Sequence, residues 1–159
     1  MSVNGNWQAL VKEIAALLTA QKKTVAVAES CTAGNIAALL TSVSGSSNFF
    51  EGGIIAYSEK VKINQLQVKK QDITKYSAVS EQVAQQMAEG VKHQFQSDYA
   101  LATTGYAGPT GDKVGQVFIA FASKEKPHVT SFLFEGERKE IVHKAAVKAL
   151  SVLLSEIKK

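Results

Sequence analysis

The chain has 159 residues, 45% hydrophobic and 20% charged, with a formal net charge of +4. A chain of this size typically buries about 68–70% of its unfolded surface, enough for one real core, so residues 1–159 read as a single domain. Arg138 is the only arginine and the lysine pairs Lys22-Lys23, Lys69-Lys70 and Lys158-Lys159 are scattered, a pattern that argues against the arginine forks and basic stripe of a nucleic-acid reader.

Cys31 is the single cysteine, which excludes an internal disulfide and a cysteine zinc cluster and makes a reducing cytoplasm the expected compartment. His93, His128 and His143 are too far apart in sequence to form a ligand motif, so neither a metal nor a cofactor is expected. Met1 to Trp7 lacks the basic start and apolar stretch of a signal peptide, and no apolar run approaches the roughly 20 residues of a membrane span. A soluble protein without membrane contact is the expectation.

Trp7, Leu10, Val11, Ile14, Leu17 and Leu18 recur at helical spacing and predict an amphipathic helix ending near Gln21. Thr24 to Ala28 follows as a buried strand, and the chain then breaks abruptly into Glu29-Ser30-Cys31-Thr32-Ala33-Gly34. Because Asn35 to Leu40 predicts a helix, Ser30 falls at a strand-to-helix turn, where unpaired N–H groups and the positive dipole end favour an anion. On the turn alone, a cap supplied by Ser30 or Thr32 is the simpler reading.

Ser44 to Ser47 breaks the pattern, Gly52 to Tyr57 reads as a second buried strand, and Glu59 to Leu66 as a short helix. Ser80 caps a longer helix whose apolar stripe is Val83, Met87, Val91 and Phe95 and which stops before Asp98. Tyr99 to Thr103 is a third buried strand, followed by the glycine-rich loop Gly105 to Gly111. Gly115 to Ser123 and His128 to Phe134 form a hairpin, and the closing helix buries Ile141, Ala145, Leu150, Leu153 and Ile157 behind an acidic start at Glu137. The pattern is α/β: three layers, α/β/α, around a mixed, mainly parallel sheet with a C-terminal antiparallel hairpin.

Loops after the first three strands commonly meet in a crevice in such sheets. Here they bring Ser30, Tyr57, Lys62 and the glycine loop, but no histidine, so a Ser-His-Asp triad is not supported. Glu29 to Ala33 does not fit Gly-x-Ser-x-Gly, and Gly105 to Gly111 lacks the lysine and hydroxyl of a phosphate loop. A serine and a lysine remain. With a reference pKa near 10.4, only about one lysine in a thousand or so is neutral at pH 7 unless burial lowers that value. Lys62, flanked by Val61 and Ile63 after an apolar strand, is a candidate for such burial, and an ordinary solvated helix lysine is the plainer alternative. A serine activated by a neutral lysine attacks an acyl carbon while backbone N–H groups hold the oxyanion, which is the chemistry of amide or ester hydrolysis. Tyr57 either serves that site or packs.

Five blocks in order, Ala28 to Gly34, Gly53 to Ser58, Ala78 to Glu81, Thr104 to Pro109 and Gly136 to Arg138, closely resemble the CinA C-terminal domain family. The family includes nicotinamide mononucleotide deamidases, which hydrolyse the carboxamide of that nucleotide to give nicotinate mononucleotide and ammonia. The resemblance implies Ser30 as nucleophile and Lys62 as its partner, with Tyr57 and Thr104 near the reacting group. It further implies that Thr32, Gly34, Gly105, Ala107, Gly108 and Arg138 hold a small-molecule nucleotide.

The chain departs from the family pattern at three positions. Ala33 stands where glycine is usual and is expected to narrow the pocket; Glu59 stands for asparagine and would oppose a phosphate if it faced the site. Val142 occupies a common arginine position, and the adjacent His143 points about 100° away around the helix and does not replace it. The loop from Gly108 to Val114 also looks short. These departures keep two alternatives in view: a weak or inactive nucleotide-binding homologue, and an amidase for a different small amide. An apolar segment at Phe49-Phe50 is the candidate subunit interface of a homo-oligomer.

Overall fold

The computed structural model describes residues 6–159, so the first five positions of the Met1 to Trp7 segment lie outside the described residues. In chain order the elements are α1 (Trp7–Gln21), β1 (Val25–Glu29), α2 (Asn35–Leu40), β2 (Phe50–Ile55), α3 (Glu59–Leu66), α4 (Lys70–Tyr76), α5 (Glu81–Phe95), β3 (Tyr99–Gly105), β4 (Gln116–Ala122), β5 (His128–Leu133) and α6 (Arg138–Ile157). The strands form one five-stranded sheet in the order β2-β1-β3-β4-β5. β2, β1 and β3 run parallel, while β4 and β5 complete the sheet with antiparallel pairings.

The two faces of the sheet differ in side-chain size. Val25, Val27, Leu101, Val117, Ile119 and Phe121 pack under α1, α2 and α6. The alternate residues Ala26, Ala28, Ala100, Ala102, Ala120 and Ala122 pack under α5. Strand periodicity sorts the two sets, and the alanine face lets the α5 backbone lie close to the sheet. On its outer side α5 touches α3 at backbone contact, since a Cβ added at Gly90 would lie 2.1 Å from the Leu66 carbonyl oxygen. This packing holds α3, and Lys62 on it, against the body of the protein.

Two sequence expectations change, and one helix, α4, was not predicted. β2 is an edge strand with alternating half-buried and exposed residues rather than a buried strand, because among the described residues no strand pairs on its outer side. Phe49 is 1% exposed and belongs to the core beneath α1, so the Phe49-Phe50 segment is not an exposed apolar face. α4 gives no periodic signal, because Ile73 is its one buried side chain.

Candidate active site

β1 delivers its last residue, Glu29, into the interior with no exposed surface. Its Oε1 accepts hydrogen bonds from Thr32 Oγ1 at 2.6 Å and the Ile36 N–H at 2.8 Å, and its Oε2 accepts from the Ala37 N–H at 3.1 Å. The Asn35 and Ala38 N–H groups are taken by the carbonyls of Thr32 and Gly34. The start of α2 is therefore fully occupied by the chain itself, and it does not offer N–H groups to substrate as the sequence reading expected. Nor does Ser30 or Thr32 cap the helix: the N-cap is Gly34, and no side chain bonds there in the usual way.

Released from capping, Ser30 faces Lys62. Lys62 Nζ lies 2.8 Å from Ser30 Oγ and donates to the carbonyls of Ala56 at 2.7 Å and Tyr57 at 3.2 Å. Lys62 is only 2% exposed, which corrects the picture of a solvated helix lysine. Ser58 places it by capping α3 through the Val61 N–H, so that Lys62 sits one turn in and points back across the end of β2. Burial lowers the Lys62 pKa from the ordinary 10.5, against the raising pull of Cys31 and Glu59. The Cys31 part of that pull needs a thiolate, and burial pushes the Cys31 thiol up to about 12, so at neutral pH Cys31 is a protonated thiol.

A cavity of about 300 Å³ opens on this pair. Of the residues expected from the sequence, Ser30, Tyr57, Lys62, Thr104, Gly105, Ala107, Gly108 and Arg138 line it together. Thr32 and Gly34 do not. Thr32 is fully buried and bridges Glu29 to Thr103, whose Oγ1 lies 2.8 Å from its own, and Gly34 turns the chain into α2 at φ 95°. Arg138, on the first turn of α6, donates to the Gly108 carbonyl at 2.5 Å and to the Tyr57 hydroxyl at 2.9 Å, tying three separate segments together at the cavity. The N–H groups of Cys31, Ala107 and Gly108 take no backbone acceptor among the described residues.

Sequence reasoning missed Cys31, Ala78, Val79, Tyr106 and Thr110 as lining residues. Ala78, Val79 and Tyr106 lay inside the blocks that carried the resemblance, but small and apolar types gave no chemical signal of their own.

A second cavity adjoins the first through Arg138, with Asn35, Pro109, Glu137, Lys139 and Val142 as its other lining residues. Val142 thus faces a cavity in which Arg138 and Lys139 are the cations. Ala33 is exposed and outside both cavities, so its methyl does not narrow the pocket. Glu59 is also exposed, at the first turn of α3, and lines neither cavity, although its charge acts on Lys62. Among the described residues there is no helix long and apolar enough to cross a membrane, and no group of three or more His, Cys, Asp or Glu side chains is gathered for a metal ion.

Fold and cavity together define a three-layer α/β protein with a buried serine–lysine pair at the C-terminal ends of its parallel strands. The chain belongs to the CinA C-terminal domain family, whose model matches residues 7–157. It is 44% identical over 147 residues to a CinA-like protein of Flavobacterium psychrophilum, covering 90% of this chain and 35% of that protein. It is 40% identical over 141 residues to a putative competence-damage inducible protein of Thermoanaerobacter pseudethanolicus, covering 86% and 34%. The chain therefore spans about a third of the length of these curated relatives. Among solved structures, competence damage-inducible protein A from Klebsiella pneumoniae superposes with a TM-score of 0.94 at 33% identity, covering 97% of this chain and 98% of that one. A competence/damage inducible protein from Agrobacterium tumefaciens gives 0.93 at 32%, covering 98% and 97%.

Proposed function

We propose that this chain is an amidohydrolase that converts nicotinamide mononucleotide and water to nicotinate mononucleotide and ammonia through Ser30 and Lys62. The observation that carries the reading is the arrangement around the buried Lys62 nitrogen. As a neutral amine it has two N–H groups and one lone pair; the Ala56 and Tyr57 carbonyls accept the two N–H groups, which leaves the lone pair directed at Ser30 Oγ. Burial, which lowers the Lys62 pKa, favours that neutral form.

Lys62 takes the Ser30 proton as Oγ bonds to the carboxamide carbon, and the carbonyl oxygen gains the charge. Backbone N–H groups that take no backbone acceptor beside Ser30 and in the glycine loop, such as those of Cys31 and Ala107, are the candidate oxyanion donors. The carbon–nitrogen bond breaks, Lys62 returns the proton to the leaving nitrogen, and ammonia departs. Water, deprotonated by Lys62, then attacks the acyl-serine, the bond from the acyl carbon to Ser30 Oγ breaks, Lys62 returns the proton to Oγ, and the acid leaves and ionises to the carboxylate. Arg138 and Lys139 supply positive charge to the adjoining cavities, where the nucleotide phosphate would lie.

The test is ammonia release from nicotinamide mononucleotide by the purified chain, by Ser30→Ala and by Lys62→Ala. Equal rates in all three sink the mechanism. One observation favours a second reading: Val142 places an apolar side chain in the second cavity, where the resemblance expects an arginine. Calorimetric binding of the nucleotide without product would favour a non-catalytic binding module, and turnover only of other small amides would change the substrate and keep the chemistry.

A further inference from the structure

The sheet has two edges, β2 and β5, and they differ. β2 carries Glu51 and the adjacent glycines Gly52 and Gly53, and its pairing with β1 shifts register between Val25 and Ala26. A charge, glycines and an irregular register keep an edge strand from pairing further. β5 has none of these: His128-Val129-Thr130-Ser131-Phe132-Leu133 holds no lysine, arginine, carboxylate, glycine or proline. Among the described residues no strand pairs on its outer side.

The register of the hairpin fixes what that open edge presents. The Phe134 N–H donates to the Gly115 carbonyl at 2.8 Å, Val117 lies opposite Phe132 and Ile119 opposite Thr130, so the backbone groups of Phe134, Phe132 and Thr130 turn toward β4. Those of Val129, Ser131 and Leu133 therefore point away from the sheet. The side chains of these three share the α5 face, where Val129 packs on the alanine cluster and Leu133 is 73% exposed.

An antiparallel second copy of β5 matches this edge. With Ser131 opposite its own counterpart on a twofold axis, Val129 of each copy lies opposite Leu133 of the other. Every such pair then exchanges N–H···O=C bonds, and the exposed Leu133 side chain is laid against Val129. The flanks agree in charge. The turn before β5 carries Lys124 and Lys126 around a single carboxylate, Glu125, and the segment after it carries Glu135 and Glu137, all of them exposed. Antiparallel pairing sets the lysine-bearing turn of each copy beside the acidic segment of the other, whereas parallel pairing would set like against like. Pairing of β5 with β2 of another copy is heterologous and does not close, and Glu51 and the glycines oppose it.

We propose that β5 is a self-association edge: two copies of this chain pair antiparallel through Val129, Ser131 and Leu133 and join their five-stranded sheets into one. The three residues line neither cavity, so the pairing stands apart from the amidase reading. One short strand makes a small interface, and the dimer is concentration-dependent rather than permanent.

The experiment is sedimentation velocity on the full chain over a rising concentration series, read as weight-average mass. The unaltered chain is expected to approach twice the monomer mass, and Leu133→Lys, at an exposed position, to weaken association about tenfold. Lys126→Glu is expected to weaken it about threefold, and Lys126→Glu combined with Glu135→Lys to restore it. Ser131→Cys reads the register. In oxidised glutathione, which takes up the two electrons and two protons of the thiols, the cysteines of two copies meet across the axis and join in a disulfide-linked dimer. Thr130→Cys, which lies opposite Phe132 of the other copy rather than itself, is expected to stay monomeric on a non-reducing gel, as is the unaltered chain with its buried Cys31. Circular dichroism checks the fold of each variant, and Ser131→Cys carries the test if Leu133→Lys does not fold. A chain that stays monomeric throughout, association that Leu133→Lys leaves unchanged, or equal cross-linking at 130 and 131 would overturn the proposal, as would growth past the dimer into filaments.

Discussion

Glu29 and Lys62 are the two charged side chains that the fold buries among the described residues, and they serve Ser30 in different ways. Glu29 accepts only from groups that keep their protons, the Thr32 hydroxyl and two backbone N–H groups of α2. Lys62 meets two carbonyls that cannot change and one hydroxyl that can. A buried charge surrounded by fixed donors organises a turn. A buried amine with one exchangeable neighbour is suited to moving a proton.

The largest expected effect separates the two directly. Lys62→Ala should lower ammonia release by about a thousandfold, within the range for loss of a positioned base, while circular dichroism still shows a cooperative unfolding transition. Glu29→Ala should act on stability instead. It strips an acceptor from three donors, and urea unfolding should show a loss of about 3 kcal/mol, with Glu29→Gln recovering part of it through its remaining carbonyl oxygen.

The pH dependence sharpens the contrast. Activity that needs neutral Lys62 should rise with pH along a limb lying below the ordinary lysine value of 10.5. The folded pKa is lowered relative to the unfolded chain, so between the two values the unfolded chain binds more protons and stability rises with pH. Below the folded value the full penalty of burying the ammonium is present, and above 10.5 it is gone. Chemical denaturation across that window should therefore show a rise that Lys62→Met flattens. The smallest effect is at Ala33, which the Glu29-held turn puts at φ 48° with its methyl exposed. Ala33→Gly should raise stability by about 0.5 kcal/mol, the relief of a left-handed alanine less the added freedom of glycine, and leave turnover unchanged.

Much of this architecture was legible because periodicity reports burial on one face. The stripes of α1, α5 and α6 and the apolar run of β1 each gave their element. β2 was misread as buried because Gly52 to Ala56 has no polar residue, although only one side of the strand is paired. α4 was silent because one buried side chain makes no stripe. At the site, Ser30 and Lys62 stood out by chemical type. Val79 and Tyr106 did not, since their place at the cavity depends on the backbone of Ser77 and on the loop after β3.

By itself, then, the sequence determined the order of strands and helices, α4 apart, and the α/β class, and it marked Ser30 and Lys62 as candidates, because side-chain type and spacing are local properties. Tertiary structure alone decided that α2 gives its N–H groups to Glu29, that Phe49 belongs to the core, and that Val142 faces a cavity beside Arg138 and Lys139. It also decided that Lys62 lies buried against Ser30. A hydrogen-bond partner or a lowered pKa depends on which groups the fold brings within about 3 Å, and residues 32 positions apart carry no local record of that meeting.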